Sequence, residues 1–294
     1  MKRLLVTGAS GFLGHTLCSV ARKSWDVHGA AHAHDVCLEG VHTVKLDITD
    51  HRSVREALRT IRPDALIHLA ALSKPDYCQA HPAESRAVNV NASSALAGTC
   101  AETGAACVFA SSDLVFDGAR GMYTETDPVG PVSVYGEHKV EAEQRMREEN
   151  PAVTVCRLPL MFGLRSPSSA SFIQPMIARL EKAEPQMLFD DEFRSPASAS
   201  SVAAGLLLAI DCPGEMLHLG GRERLSRFRF GRLLAEVTGC ACETIQRCSQ
   251  NDIDLPAPRP CDVSLDSAKA FALGHNPLCV RDELIRLLAG VPPQ

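Results

Sequence analysis

The chain has 294 residues, 45% of them hydrophobic and 22% charged, with a net charge of −5. That length can bury one large core with a smaller lobe attached, and weak acidity without a basic stripe argues against a nucleic-acid partner. The longest apolar run, residues 202–210, is too short to span a bilayer, and the N-terminus enters a strand with no signal-peptide pattern. A cytoplasmic protein with no membrane partner is expected. The twelve cysteines are scattered, and Cys240, Cys242 and Cys248 lack a Cys-x-x-Cys pair or nearby histidines. Reduced thiols and no metal site are therefore expected.

In chain order, the first element is Leu4-Leu5-Val6-Thr7-Gly8-Ala9-Ser10-Gly11-Phe12-Leu13-Gly14, an apolar strand, a turn and the start of an amphipathic helix. Glycine allows a tight turn and close approach of backbone N–H groups to a pyrophosphate, and the helix N-terminus adds partial positive charge. A dinucleotide site is expected there. Apolar runs at residues 25–31, 41–46, 65–71, 106–110 and 153–158 then alternate with helical stretches, which specifies parallel strands with crossover helices. Asp50 is placed to cap a helix that Pro63 ends, and residues 82–103 read as one long helix ended by Gly104. The fold class is α/β, a doubly wound parallel sheet of Rossmann type. Ligands bind such sheets at the carboxyl ends of the strands, where the glycine loop, Asp47, Ala70, Ala71, Ser112 and Pro159 converge.

After the fourth of these runs come Ser111-Ser112 and then Tyr135-Gly136-Glu137-His138-Lys139. Helix positions i and i+4 share a face, so the Tyr135 hydroxyl and Lys139 ammonium can point into one cleft. A free phenol, with a pKa of about 10, relays protons poorly at neutral pH. One positive charge at about 4 Å and an effective dielectric of about 20 would stabilise the phenolate by roughly 4 kcal/mol, about three pKa units. Lys139 is expected to lower Tyr135 in this way.

Past residue 158 the alternation becomes irregular. A dinucleotide-binding domain is drawn at residues 1–160 and a substrate-binding lobe at 161–294, some of whose segments return to the sheet. In the lobe, residues 171–180 and 202–210 read as helices and 186–189 as a strand, while Ser226 caps a helix that Gly239 ends. Residues 254–260 form a proline-rich loop before a last helix near Leu284.

Several phrases together resemble the extended short-chain dehydrogenase/reductase family, in its dTDP-4-dehydrorhamnose reductase branch. They are Ala110-Ser111-Ser112-Asp113-Leu114-Val115-Phe116-Asp117-Gly118, Tyr123-Thr124-Glu125-Thr126-Asp127-Pro128, Arg157-Leu158-Pro159 and Arg259-Pro260-Cys261-Asp262-Val263-Ser264-Leu265. The resemblance runs from Lys2 to about Lys269. It implies an NAD(P)H-dependent reductase of a nucleotide-linked keto sugar. Ser112 would bond the substrate carbonyl, Tyr135 would donate the proton, and Lys139 would lower the phenol and contact the ribose. Pro75-Asp76 with Pro82, then Asn89-Val90-Asn91-Ala92-Ser93, is similar also to the regulatory beta subunit of methionine adenosyltransferase, which implies a second reading as a cofactor-binding regulator. An epimerase or dehydratase of the same family is the third.

The resemblance assigns Gly8, Ser10, Gly11, Phe12, Leu13, Gly14, His32, Asp47, Ile48, Leu69, Ala70, Ala71, Ser73, Asn91, Ser111, Tyr135, Lys139 and Leu158 to the cofactor. It assigns Ser112, Phe116, Arg194 and Arg259 to the substrate, the arginines as diphosphate ligands. Asn91 has two readings, a residue that holds the active-site helix or a helix-interior asparagine bonded to nearby backbone. At the end of the second strand, Ala31 stands where an NAD-preferring site carries a carboxylate. His32 and His34 follow as donors to a 2′-phosphate or as plain loop residues. NADP(H) is favoured, with NAD(H) the alternative. The helices at residues 82–103 and 133–149 would form a family-like homodimer face.

Overall fold

Strands apolar on both faces pair in parallel when helices can cover each side. In the computed structural model, which describes residues 1–36 and 38–290, six such strands build the first half of the chain. They are β1 (Arg3–Thr7), β2 (Asp26–Ala31), β3 (Val41–Lys45), β4 (Ala65–His68), β5 (Ala106–Ser112) and β6 (Thr154–Leu158). The helices are α1 (Phe12–Ala21), α2 (His51–Ile61), α3 (Pro75–Ala80), α4 (Pro82–Arg86), α5 (Ser93–Thr103) and α6 (Val134–Glu149). The sheet runs β3-β2-β1-β4-β5-β6, and Met216–His218 adds a seventh strand beside β6. This is the doubly wound order, with its switch point between β1 and β4.

Local signals account for many element ends. The Asp50 carboxylate accepts from Arg52 N at 3.0 Å and caps α2, and Gly104 ends α5 at φ +76°. Two readings needed correction. The run at 65–71 leaves the sheet after His68 because the Thr7 hydroxyl accepts from Leu69 N and Ala70 N at 3.2 and 3.3 Å. The helix drawn over 82–103 is interrupted by a π-helical turn at Ala87–Ala92 between α4 and α5. Within it Asn89 bonds Leu72 through both N–H and C=O at 2.9 Å, pinning the turn to the loop after β4. Such turns recur at functional sites.

The remaining elements are β7 (Met161–Phe162), α7 (Ile173–Glu181), β8 (Gln186–Phe189), β9 (Phe193–Arg194), β10 (Ala197–Ser198), α8 (Ala199–Leu208), β11 (Met216–His218), β12 (Leu225–Ser226), α9 (Arg227–Thr238), β13 (Ile245–Cys248), α10 (Ala268–Ala272) and α11 (Val280–Leu288). Ser226 caps α9 by accepting from Arg229 N at 3.2 Å, and Gly239 closes it at φ +70°. A separate core of Phe162, Ile173, Met176, Phe228, Phe230, Leu234, Ile245 and Leu284 holds the lobe together. Other segments of this half join the sheet layer. Val202 and Leu206 of α8 and Leu217 of β11 pack with Leu13 and Leu17 of α1, so segments beyond residue 160 return to the sheet layer. The eleven described cysteines are all free, six of them buried. Among the described residues no helix is long and apolar enough to cross a membrane.

Candidate functional site

The carboxyl ends of β1, β2, β4, β5 and β6 open into one cleft of about 1000 Å³. Its floor is the glycine loop, and the close approaches there explain the glycines. Gly8 adopts φ +71°, and a Cβ on it would stand 2.8 Å from Ala70 N; one on Gly14 would stand 2.1 Å from Gly8 O. Both obstacles are backbone, so a side chain on Gly8 would push the glycine loop off the segment after β4, and one on Gly14 would push α1 away from that loop. The Gly11 cap of α1 carries no side-chain bond, leaving the helix N-terminus open to an anion.

Eighteen of the sequence-predicted positions line this cleft: Gly8, Ser10, Gly11, Phe12, Leu13, Gly14, His32, Asp47, Ile48, Leu69, Ala70, Ala71, Ser73, Ser111, Ser112, Tyr135, Lys139 and Leu158. Four do not. Asn91 sits exposed on the outer side of the π turn; Asn89, two residues earlier, is the buried asparagine that ties the helix to the loop. Phe116 is fully buried and stacks on Tyr123 at 4.1 Å. Arg194 donates to both oxygens of Asp113 at 2.7 and 2.8 Å, and Arg259 bonds Asp76 at 2.8 Å. Each guanidinium therefore already has a carboxylate. Sequence reasoning also missed lining residues contributed from afar, among them Thr49, Glu84, Val88, Met161 and Ser169; no local motif marks these.

The hydroxyl wall is built by β5 and the first turns of α6. Ser133 caps α6 by accepting from Gly136 N at 3.3 Å, which fixes Tyr135 and Lys139 one turn apart above Ser112. The Lys139 ammonium donates to Ala110 O at 2.7 Å and lies 4.4 Å from the Phe109 ring centre. Burial brings it down to about 8, with the Glu143 carboxylate pulling the other way. Ser112 accepts from Leu114 N and donates to Asp113, both at 3.2 Å.

The phenol does not behave as the lysine argument expects. Burial raises Tyr135 above its ordinary value, and Asp113 adds to this, while the Ser112 hydroxyl and Arg194 act in the opposite direction. Lys139 donates instead to the Ala110 carbonyl, and with burial dominant the protonated phenol is the resting form at neutral pH. Beneath the wall, Ser111 donates to Glu143 at 2.5 Å, and Glu143 pairs with Arg157 through contacts of 2.8 and 3.1 Å, both side chains buried. Glu143 follows Lys139 by one helical turn on the same face. That i, i+4 spacing is the one signal for Glu143 that the sequence carries.

At the outer end, His32 and His34 are exposed on the loop after β2, whose last residue is Ala31. An acid does reach this region from the neighbouring strand: Asp47 lies 3.7 Å from His32 Nε2. Bonds from the Thr49 hydroxyl and N–H hold its carboxyl below the usual range.

Comparison with known proteins places this geometry among relatives. The probable low-salt glycan biosynthesis reductase Agl14 of Haloferax volcanii is 31% identical over 291 residues, covering 97% of this chain and 96% of that one. Methionine adenosyltransferase 2 subunit beta of Rattus norvegicus is 25% identical over 281 residues, 93% of this chain and 83% of that one. A dTDP-4-dehydrorhamnose reductase of Bacillus anthracis, solved in complex with NADP, superposes with a TM-score of 0.87 at 22% identity over 99% of this chain and 100% of that one. The corresponding enzyme of Clostridium acetobutylicum superposes at 0.84 with 24% identity, over 98% and 99% of the two chains. The profile of the RmlD substrate binding domain family matches residues 1–290, and the chain belongs to that family.

Proposed function

We propose that the cleft binds NADP(H) and that the protein reduces a nucleotide-linked keto sugar of the dTDP-4-keto-6-deoxy class. The observation that carries this reading is the shared cleft: the Ser112, Tyr135 and Lys139 wall faces the same cavity as a glycine cradle that any Cβ would fill. The family and the reductase relative support it. The dinucleotide would lie on the Gly8–Gly14 loop and the α1 N-terminus, and when bound it supplies a hydride. The chain supplies the rest. Ser112 positions the ketone oxygen, and Tyr135, held protonated by burial, donates to it. Lys139, fixed by the Ala110 carbonyl, would present its remaining N–H groups toward the ribose.

The absence of an acid at Ala31 and the donors His32 and His34 favour NADPH over NADH; Asp47 beside His32 keeps the margin small. Titration showing tighter NADH binding at pH 7 would reverse the preference. The cytoplasm is the proposed location, and a homodimer across α5 and α6 the proposed assembly, read by solution mass.

Purified protein should oxidise NADPH when given a dTDP-4-keto-6-deoxy sugar. Tyr135→Phe should lower turnover about a hundredfold to ten-thousandfold with cofactor affinity nearly intact, and turnover within a factor of three of wild type would sink the assignment. The likeness to methionine adenosyltransferase 2 subunit beta supports a second reading, a cofactor-binding regulatory subunit. No oxidation across a panel of nucleotide-linked keto sugars, together with a stoichiometric protein partner, would favour it. An epimerase or dehydratase would instead retain NAD through purification.

A further inference from the structure

The amino end of the sheet carries a second cluster of polar side chains, far along the strands from the cleft. Asp26 opens β2 and His28 follows on the same face, while parallel register sets His42 of β3 directly beside His28. The two imidazoles stack with ring centres 4.8 Å apart at 26°. Both turn a nitrogen toward one carboxylate: His42 Nε2 lies 3.1 Å from Asp26 Oδ1, and His28 Nε2 lies 3.7 Å from Oδ2.

The second of these distances is too long for a hydrogen bond. His28 Nε2 is buried without a hydrogen-bond partner, and an unmatched buried nitrogen calls for a ligand. We propose that Asp26, His28 and His42 form a binding site for a divalent transition-metal ion, zinc, with water completing its shell.

The donor set fits. One carboxylate and two imidazoles are the ligands that open zinc sites use, and bonds of about 2.0–2.2 Å place tetrahedral ligands about 3.4 Å apart. Here the ligand atoms lie within 4.8 Å of one another, a spread that rotation of the 66%-exposed His42 side chain can close. The nearest competing cation is Arg3, whose Nε stands 3.9 Å from Asp26 Oδ2, a contact too loose to hold the carboxylate. The position gives the ion a role. β3 is the edge strand, and none of its five residues is fully buried, so a metal joining β2 to β3 would staple the part of the sheet with least packing.

The test is titration of the full chain, freed of metal by chelation, with Co²⁺ and then Zn²⁺. One equivalent of Co²⁺ should give d–d absorption without thiolate charge-transfer bands, zinc should displace it, and zinc should raise Tm. His42→Ala, fully tolerable at an exposed position, and Asp26→Asn should each weaken binding by more than the roughly 10- to 100-fold that outer-shell partners are worth. Both should abolish the Tm shift while leaving NADPH affinity unchanged. Thiolate bands, unaltered binding in His42→Ala, or no saturable binding to wild type would each overturn the proposal.

Discussion

Arg194 and Asp113 are 81 residues apart in sequence yet meet through two hydrogen bonds of 2.7 and 2.8 Å, at 8% and 1% exposure. Arg194→Ala would leave the Asp113 carboxylate buried, with Glu192 as a further negative neighbour. Breaking a buried pair from one side costs about 3–5 kcal/mol. With an unfolding entropy of about 2.1 cal/mol/K per residue, 294 residues convert this to a fall in Tm of roughly 5–8 °C. The pH dependence has a definite sign. Burial already raises Asp113, opposed first by Arg194, so losing the arginine raises it further. A carboxyl whose folded pKa is raised is penalised while ionised and relieved on protonation, so the deficit should be larger at pH 8 than at pH 5. Urea unfolding at both pH values measures it, and Arg194→Leu with Asp113→Leu should recover most of the loss, because no unpaired charge remains. A deficit below about 1 kcal/mol, well under the buried-pair range, or one that grows toward pH 5, would refute the ion-pair reading and return Arg194 to ligand binding.

Three further outcomes follow from the same geometry. Lys139 titrates near 8 in the folded chain against 10.5 ordinarily, so the unfolded chain holds more protons in that window; wild type should gain on Lys139→Met by up to roughly 3 kcal/mol between pH 8 and 10.5, and a pH-independent difference would count against it. Burial lowers His218 to about 4 and His68 to about 3, so stability should fall as pH drops from 6.5 toward these values, and His218→Gln should flatten the slope in urea titrations. Gly14→Ala places a Cβ 2.1 Å from Gly8 O, and fluorescence titration should show NADPH binding lost; unchanged affinity would mean that α1 can shift freely.

The sequence by itself determined what acts over one helical turn or one strand. The Gly8, Gly11 and Gly14 spacing, the Asp50 and Ser226 caps, and the i, i+4 placement of Tyr135 and Lys139 depend on neighbours only a few residues away. The alternation of apolar runs predicted the parallel sheet for the same reason. Tertiary structure decided the rest. Asn89 rather than Asn91 turns inward because a π turn shifts the register of the helix face, and that turn answers to Leu72, 17 residues earlier. Arg194 is taken by Asp113, and Arg259 by Asp76 at a separation of 183 residues, so guanidiniums that look free for a diphosphate are occupied. The resting protonation of Tyr135 also lay beyond spacing: the burial that tertiary packing imposes on the phenol outweighs the charges around it. His28 and His42 become neighbours only through the pairing of β2 with β3. Each of these outcomes depends on which distant groups the fold brings together, and periodicity along the chain carries no record of that.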